Sequence, residues 1–499
     1  METEWDVLKD RGVFELVDAP PDAHIIDSMW VFMNKYNADS NIIRCKAHLV
    51  AKGYTQIPGL DYNQTYASIV RLKSFRIVAT IAAALNLHIW QVDIVATFLY
   101  STNKFTMYMC QPPGFVARGE EKKVLWVVKT LYSMMQGSYD FQVEMSGTYE
   151  SLGYYKSLAD PCVHSRTIGG VQTITSTYTD NIFGTSSTKE GAERAKEEIK
   201  ACFEIKDVGD LGYILGIQVE KEETTGAISL SQEAYIHHIL ERFSMLHCNP
   251  KSTPLPSSII LSNSNSPKTE EDRHYMKDKP YCEALSSCMW AQVATRPDIA
   301  YALSVLTRFQ MNPGPAHWKA ILHLLTYLKG TLHYKITYQQ GGSIDPIGFV
   351  DADYAGDVDT CQSTSGYVFT MAGGAVSWSM KRQATVALST MEAKYMALTC
   401  TSQQVLWMYS FMSTVGLAQK LPAILHGDNA ASIALTVNTK GHVHAKHIDI
   451  QHHYIRERVA EGEIGLVQIP SEENLAGIFT KPLPRITHQK LIRALELDS

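Results

Sequence analysis

The chain has 499 residues, a length that predicts two to four domains with full hydrophobic cores. Apolar residues make up 45% of it and charged residues 19%, values that are typical of folded soluble proteins and exclude bulk disorder. The formal net charge is −6, which weakens any argument for attraction of the whole chain to a phosphate backbone.

The sequence shows no segment that would place the chain in a membrane or outside the cell. The longest nearly apolar run, residues 77–85, falls well short of the ~20 residues that cross a bilayer. The acidic residues 1–6 lack the basic start and apolar core of a secretory signal. The nine cysteines are scattered, without a CxxC pair. We therefore expect an intracellular chain, in the cytoplasm or nucleus, with no membrane partner and no disulfide framework.

The first half of the chain mixes short β-rich stretches with helix-like ones. The β-rich stretches are residues 29–32, 47–50, 89–92 and 173–177, and the helix-like ones are 72–85 and 190–203. Between Asn41 and Arg76, six basic residues accompany a single acid, Asp61. This basic stretch either faces phosphate or forms an ordinary solvated surface.

Two breaks divide the chain. Residues 247–279 are rich in Pro, Ser, Asn and charge, and residues 339–343 form a Gln- and Gly-rich turn. The segment between the breaks has apolar residues at helical spacing. After the second break, three strand-like stretches precede a helix-like stretch and a fourth strand, an order typical of ribonuclease H-like sheets. We predict segments 1–255, 256–345 and 346–499.

Two aspartates stand out in the first segment. Asp93 ends the apolar strand 89–94, where a carboxylate is costly to bury unless it binds a metal or is paired. Asp180 lies in the sequence Tyr178-Thr179-Asp180-Asn181, next to another β-rich stretch. Taken alone, each is better explained as a capped turn residue. On adjacent strand ends, however, the pair could hold Mg²⁺ for phosphoryl or nucleotidyl transfer.

Ordered sequence words run along nearly the whole chain. They include RCKAHLVAKGY (44–54), QVD (91–93), QPPGF (111–115), ATRPDI (294–299), YLKGT (327–331), STSGY (363–367), KHIDI (446–450) and TKPL (480–483). Together these words resemble the reverse transcriptase and ribonuclease H region of copia-type retrotransposon polyproteins. The resemblance implies an α+β right-hand polymerase with fingers, palm and thumb, then a helical connection and an α/β ribonuclease H-like domain.

The resemblance also assigns roles in the polymerase. Asp93 and Asp180 match two catalytic, metal-binding carboxylates of the palm, while Asn181 stands where a third is expected. Phe98 matches the aromatic residue under the sugar of the incoming nucleotide, although packing in a core would also explain it. Gln136 matches a glutamine near that nucleotide. Two residues of the basic stretch, Lys46 and Arg71, are further predicted substrate-binding residues. The chain departs from the family at His48 and Tyr139, where the family usually has arginine.

Ribonuclease H chemistry in this family uses four carboxylates around two Mg²⁺ ions. Asp351 and Asp428 match two of these ligands, but Lys394 and Gly477 occupy the positions of the other two. Neighbouring acids could compensate for the losses. The candidates are Asp353, on the same side of a strand as Asp351, and Glu392, two residues before Lys394.

The sequence thus predicts a reverse transcriptase and ribonuclease H fragment, an RNA-directed DNA polymerase by resemblance, that is impaired by the loss of metal-binding carboxylates. The implied partners are an RNA template, a DNA primer or an RNA–DNA hybrid, and deoxynucleoside triphosphates, with Mg²⁺ at weakened or lost sites. Two alternatives are a catalytically dead nucleic-acid-binding protein and a non-functional retroelement relic.

Overall fold

A computed structural model describes residues 1–36, 42–209, 212–437 and 449–498. Most of the word at 446–450 therefore lies outside the described residues. Within the described ranges, no helix is long and apolar enough to cross a membrane.

The N-terminal part contains helix α1 (Glu2–Asp10) and two small sheets. Its strands are β1 (Phe14–Asp18), β2 (Ile25–Ile26), β3 (Ser28–Tyr36), β4 (Ile42–Ala51), β5 (His88–Ile94), β6 (Tyr108–Met109) and β7 (Lys123–Val127). Strands β1, β7, β6 and β2 form one sheet in that order, while β3 and β4 form a separate antiparallel ribbon. Strand β5 belongs to a larger sheet.

That larger sheet, called the palm sheet here, has the order β12-β5-β11-β10-β9-β8. Its remaining strands are β8 (Tyr155–Lys156), β9 (Val163–Ile168), β10 (Val171–Tyr178), β11 (Asn181–Ser186) and β12 (Ile205–Gly209), and its helices are α2 (Leu72–Ala84), α3 (Gly137–Ser151) and α4 (Lys189–Cys202). Side chains alternate across the sheet, so that Phe183 packs with α2 while Ile182 packs with α3 and α4. Helices thus cover both faces, which explains why β5 is largely apolar.

The middle of the chain combines four short strands with a helical cluster. Its elements are β13 (Tyr213–Ile214), β14 (Ile217–Lys221), β15 (Ile228–Ser231), α5 (Glu233–Arg242), α6 (Glu270–Lys277), α7 (Tyr281–Ala294), α8 (Ala300–Thr307), α9 (Pro315–Gly330) and β16 (Lys335–Tyr338). The predicted helical stretch is interrupted between α7 and α8 by Arg296-Pro297-Asp298, because proline cannot continue a helix.

This interruption forms a buried polar network with the end of α9. Arg296 is fully buried and donates through Nε and Nη2 to the two carboxylate oxygens of Asp298, at 3.0 and 2.7 Å. It also donates to the carbonyl of Thr331 at 2.9 Å, and the Tyr327 hydroxyl donates to Asp298 at 2.6 Å. Residues of the words ATRPDI and YLKGT are therefore in contact, and their buried polar groups form hydrogen bonds with one another.

The last segment forms a five-stranded sheet in the order β19-β18-β17-β20-β21. Its elements are β17 (Ile347–Ala352), β18 (Thr364–Met371), β19 (Gly374–Arg382), α10 (Thr390–Thr414), β20 (Ala423–Gly427), α11 (Ala430–Val437), α12 (Asp449–Ala460), β21 (Ile464–Gln468), α13 (Arg485–Ala494) and β22 (Leu497–Asp498). The first three strands are antiparallel, and β20 and β21 run parallel to β17. This order confirms the predicted ribonuclease H-like sheet and, with the palm sheet, the predicted fold class.

The three predicted segments share one further sheet, with the order β13-β14-β15-β16-β22. It contains strands from before residue 255, from 335–338 and from the last described residues, 497–498. One hydrophobic core likewise runs from Val70 to Leu497. The division at 255 and 345 therefore stays a prediction about folding units, since packing crosses both boundaries.

A buried arginine on α2 connects the palm sheet to the other segments. The guanidinium of Arg76 donates to the carbonyls of Val293 and Ala294, at 2.8 and 2.9 Å, and to that of Val376 on β19, at 2.8 Å. Its carbon lies 3.9 Å from the ring centre of Trp378. Burial lowers the pKa of Arg76 to about 10, so the group stays charged at neutral pH. The side chain therefore caps the C-terminus of α7, whose last carbonyls lack partners within the helix.

We expect Arg76→Met to lower the temperature of half-unfolding of the full chain. Three carbonyl oxygens would lose their donor, at a cost of about 1 kcal/mol or more for each buried group. Thermal unfolding followed by circular dichroism measures the effect.

Arg71→Met is the matched control, because Arg71 precedes the same helix but is exposed. An equal shift in both variants, or none in Arg76→Met, would show that the cap does not stabilise the fold.

Candidate active sites

The turn between β10 and β11 places Asp180 beside Asp93. Tyr178 pairs with Asn181 across the hairpin, and Asn181 in turn pairs with Asp93 on β5. The amide of Ile94 donates to the carbonyl of Asp180 at 2.8 Å, which fixes the two strand ends together. Thr179 has a φ of 52°, an unusual conformation for a β-branched residue. Such strain persists only where the surrounding structure imposes it and is concentrated at functional sites.

A cavity of about 370 Å³, called the palm cavity here, lies at these strand ends. Asp93 and Asp180 both line it, together with Lys46 from β4 and the aromatic residues Phe98 and Tyr132. The rings of Phe98 and Tyr132 meet edge to face, with centres 5.4 Å apart. The structure thus brings four of the predicted site residues to one cavity, while the sharing of one cation by the two carboxylates stays a prediction.

Asn181 contributes an amide in place of a carboxylate. Its Nδ2 donates to Oδ1 of Asp180 at 3.3 Å, and its Oδ1 accepts from Nε2 of Gln91 at 3.4 Å. The amide nitrogen therefore points at the carboxylate that a metal would need, and the turn carries one negative charge instead of two.

The structure places Gln136 and Arg71 away from this cavity lining. Gln136 is buried, where its Nε2 donates to the side chain of Asn103 at 3.3 Å and its Oε1 accepts from Gln56 at 3.1 Å. The Arg71 guanidinium lies 5.5 Å from the ring centre of Trp407 on α10. Their roles in substrate binding stay predictions.

The remaining basic stretch is also engaged in internal contacts. Lys52 donates to Asp27 at 3.0 Å, and Lys73 donates to Gln404 at 2.7 Å. Burial lowers the pKa of Lys73 to about 8. Arg76 is buried as well. Among the described Lys and Arg side chains of the basic stretch, Lys46 is therefore the one that lines the palm cavity.

A second pair of carboxylates lies in the ribonuclease H-like sheet. Asp351 is the second-last residue of β17 and Asp428 directly follows β20. These strands are parallel neighbours, with Val350 opposite Gly427. Both side chains are almost fully buried. The parallel pairing therefore brings the two predicted ligands together at the C-terminal ends of adjacent strands.

The ammonium group of Lys394 lies between these two carboxylates. Its Nζ donates to Oδ1 of Asp351 at 2.8 Å and contacts Oδ1 of Asp428. Burial acts to lower the pKa of Lys394, but the two carboxylates outweigh it and raise the pKa. Burial likewise acts to raise the pKa of Asp428, but hydrogen bonds from Lys394 and Ser471 outweigh it and lower the pKa. The three groups thus form an internal ion-pair network.

Protein donors also occupy the other oxygens of the pair. Ser471 donates to Oδ2 of Asp428 at 2.7 Å, and Thr480 donates to Oδ2 of Asp351. Lys481 Nζ lies 3.6 Å from that same Asp351 oxygen. None of these three residues was predicted from the sequence, and the word TKPL (480–483) was the available signal for Thr480 and Lys481.

The two candidate compensating acids make other contacts. The Glu392 carboxylate accepts from the amide of Leu388 at 2.8 Å, near the start of α10. Asp353 accepts from the amide of Thr364, and burial raises its pKa to about 6. A Cβ at Gly477 would lie 3.5 Å from Cε of Lys481, so a side chain at this position would reach the network.

Comparisons with known proteins identify the family of this chain. Residues 11–257 match a family model described as reverse transcriptase (RNA-dependent DNA polymerase). The chain is 37% identical over 97% of its length to a retrovirus-related Pol polyprotein from transposon TNT 1-94 of Nicotiana tabacum, and 32% identical over 98% to one from transposon RE1 of Arabidopsis thaliana. It covers 36% and 33% of these proteins, about a third of their length.

Among solved structures, a foamy viral protease-reverse transcriptase in complex with double-stranded DNA aligns with 93% of this chain and 68% of its own, at a TM-score of 0.49 and 10% identity. The match to the transposon proteins spans 97% and 98% of this chain. The chain therefore belongs to the family of retrovirus-related Pol polyproteins from copia-type transposons, as a reverse transcriptase segment followed by a ribonuclease H-like domain.

Proposed function

We propose that this chain is an RNA-directed DNA polymerase fragment with impaired nucleotidyl transfer and an inactive ribonuclease H site. The observation that carries the proposal is the position of the Lys394 ammonium, in contact with both Asp351 and Asp428. The proposed partners are an RNA template with a DNA primer, or an RNA–DNA hybrid, and deoxynucleoside triphosphates.

The palm cavity fits a single Mg²⁺ ion, because Asp93 and Asp180 offer the carboxylate oxygens that this hard cation prefers. When bound, the ion would neutralise charge on the triphosphate. Lys46 supplies a positive charge for the phosphates, and Phe98 forms the wall that would pack against the sugar.

Two observations support impairment at this cavity. The Asn181 amide adds no charge and donates a hydrogen bond to Asp180, so it draws on an oxygen that would otherwise serve a cation. Among the described residues, no group of three or more His, Cys, Asp or Glu side chains is placed to hold a metal ion. A third acidic ligand for the palm cavity is therefore lacking in the described part of the chain.

The ribonuclease H-like site does not fit Mg²⁺. Its two aspartates already accept hydrogen bonds from Lys394, Ser471 and Thr480. A cation brought near the ammonium would meet a like charge, which at 4 Å costs about 4 kcal/mol at an effective dielectric of 20. We therefore derive no hydrolytic step at this site.

The second candidate is a catalytically dead protein that binds nucleic acid in the same cleft. The Lys394 network favours it, because an internal cation keeps the ribonuclease H-like sheet folded without metal. Primer extension separates the two candidates: the first predicts slow synthesis, and the second predicts binding without synthesis. A non-functional retroelement relic would show neither synthesis nor binding of nucleic acid.

We expect Asn181→Asp to increase primer extension by the purified chain with Mg²⁺ and deoxynucleoside triphosphates. The added carboxylate restores a charged ligand beside Asp180 and removes the competing amide donor. The initial rate on an RNA template with a DNA primer is the measurement.

Asn249→Asp makes the same change at an exposed position in the linker and is the matched control. Extension by the unmodified chain at a rate equal to that of Asn181→Asp would refute the impairment.

We expect no cleavage of an RNA–DNA hybrid by the unmodified chain at any practical Mg²⁺ concentration. Cleavage should appear only in the double variant Lys394→Glu with Gly477→Asp, which removes the ammonium and restores two carboxylates. A labelled hybrid resolved on a denaturing gel reports the products.

In that double variant, a further Asp428→Asn change should abolish cleavage, while Lys420→Glu, a charge reversal at an exposed site, should leave the unmodified chain inactive. Cleavage by the unmodified chain that is lost on Asp351→Asn would show that Lys394 does not block the site.

The network also predicts how stability depends on metal. Lys394→Met keeps the length of the side chain but leaves the two buried aspartates without their ammonium, a loss of about 3–5 kcal/mol for a broken buried pair. We expect a lower temperature of half-unfolding in EDTA and partial recovery with Mg²⁺, which can then bind the freed carboxylates. The unmodified chain and Lys420→Met should show the same, smaller response to Mg²⁺, because the proposed Mg²⁺ site in the palm cavity is present in all these proteins. A Mg²⁺ response in Lys394→Met that is no larger than that of the unmodified chain would contradict this picture.

A further inference from the structure

Gln91 contacts both the turn that carries Asp180 and a strand outside the palm sheet. It lies on β5, two residues before Asp93 and on the same face of that strand. Its side chain is 2% exposed, and its Nε2 donates to the carbonyl of Tyr213 on β13 at 3.0 Å and to Oδ1 of Asn181 at 3.4 Å. Gln91 therefore connects a backbone carbonyl of β13 to the amide beside Asp180.

The hydrogen-bonding partners fix the orientation of both side-chain amides. A backbone carbonyl only accepts hydrogen bonds, so the atom of Gln91 that faces Tyr213 must be the amide nitrogen. That nitrogen is a donor, so the atom of Asn181 that faces it must be the carbonyl oxygen. The nitrogen of Asn181 is then left facing Asp180, whose ionised carboxylate also only accepts. Gln91 thus determines which end of the Asn181 amide faces Asp180.

The oxygen of Asn181 would be the more useful atom beside Asp180. An octahedral cation such as Mg²⁺, with metal–oxygen distances of about 2.1 Å, holds neighbouring ligands about 3 Å apart. Nδ2 of Asn181 lies 3.3 Å from Oδ1 of Asp180, so an oxygen in the place of this nitrogen could share an ion with that carboxylate. The nitrogen itself only donates. Rotating the amide by half a turn would exchange the two atoms, but it would bring two N–H donors together at Gln91.

We propose that Gln91 is a positioning residue that keeps the Asn181 amide in the orientation that cannot bind a cation. The inference rests on the proposed function, which assigns a single Mg²⁺ ion to the palm cavity, and it adds a cause of impairment besides the missing charge. Methionine has a similar length and no N–H donor, so Gln91→Met removes the group that opposes rotation. The oxygen of Asn181 can then turn towards a cation held by Asp180.

The test measures binding of Mn²⁺, which prefers the same oxygen ligands as Mg²⁺, to the full chain through the electron paramagnetic resonance signal of the free ion. Binding that persists in Asp180→Asn is subtracted, because it belongs to other parts of the chain. Gln91→Met should bind Mn²⁺ about three- to tenfold more tightly than the unmodified chain, as expected when one neutral hydrogen bond no longer opposes rotation. Gln310→Met, the same change at an exposed position, should leave the affinity unchanged.

The same change in an Asn181→Asp background separates positioning from a structural role. A carboxylate presents an oxygen to a cation in either orientation, so Gln91→Met should give no gain in Mn²⁺ affinity there. A structural role for Gln91 would instead change the affinity equally in both backgrounds. An equal change in both, or no gain where Asn181 is kept, would overturn the role of Gln91.

Asn181→Leu tests the orientation of the amide without altering Gln91. Leucine is close to asparagine in size but has neither the donor nor the oxygen. Because the amide nitrogen draws on Asp180, its removal should leave Mn²⁺ binding unchanged or make it tighter. Weaker binding in Asn181→Leu would overturn the proposed orientation, even if Gln91→Met did not fold. Absence of Mn²⁺ binding above the level of Asp180→Asn in every variant, Asn181→Asp included, would instead overturn the proposed cation site of the palm cavity itself.

Discussion

The cap on the C-terminus of α7 is the interaction on which the arrangement of the chain depends. The last carbonyls of α7 accept hydrogen bonds from side chains in two distant parts of the sequence, Arg76 on α2 and Trp378 on β19. A helix end buried without donors is costly, so neither part can move away from the other without leaving those carbonyls unpaired. The palm helix, the helical cluster and the ribonuclease H-like sheet are therefore held in one packed unit, in agreement with the hydrophobic core that crosses all three.

The two candidate sites show two responses to the same electrostatic problem. Carboxylates crowded at adjacent strand ends repel each other unless a cation or a donor lies between them. In the ribonuclease H-like sheet the chain supplies its own cation, Lys394. In the palm sheet the Asn181 amide lies beside Asp180 and donates a hydrogen bond to it. The ammonium group thus lies between two carboxylates, whereas the amide adds no charge beside Asp180.

Sequence patterns identified the elements that local chemistry determines. The apolar strand that contains Asp93 and the succession of strands and helices in the last segment were predicted from residue patterns, and the hairpin with Asp180 was implied by the resemblance. Contacts between distant residues were not predictable in this way. Arg76 was counted among residues that could face phosphate, yet its partners lie more than two hundred residues away. Gln136 was matched by word position, but the side chains of Gln56 and Asn103 bury it in a polar network.

The network of Arg296, Asp298, Tyr327 and Thr331 bears on how such words are interpreted in evolution. All four residues are buried, and they lie outside the lining of the palm cavity. Selection for a folded chain alone is enough to retain them, whatever happens to catalysis. A copy can therefore accumulate changes at catalytic carboxylates while the words ATRPDI and YLKGT stay intact. The sequence features that reveal a chain's ancestry can therefore be retained after its enzymatic activity is lost.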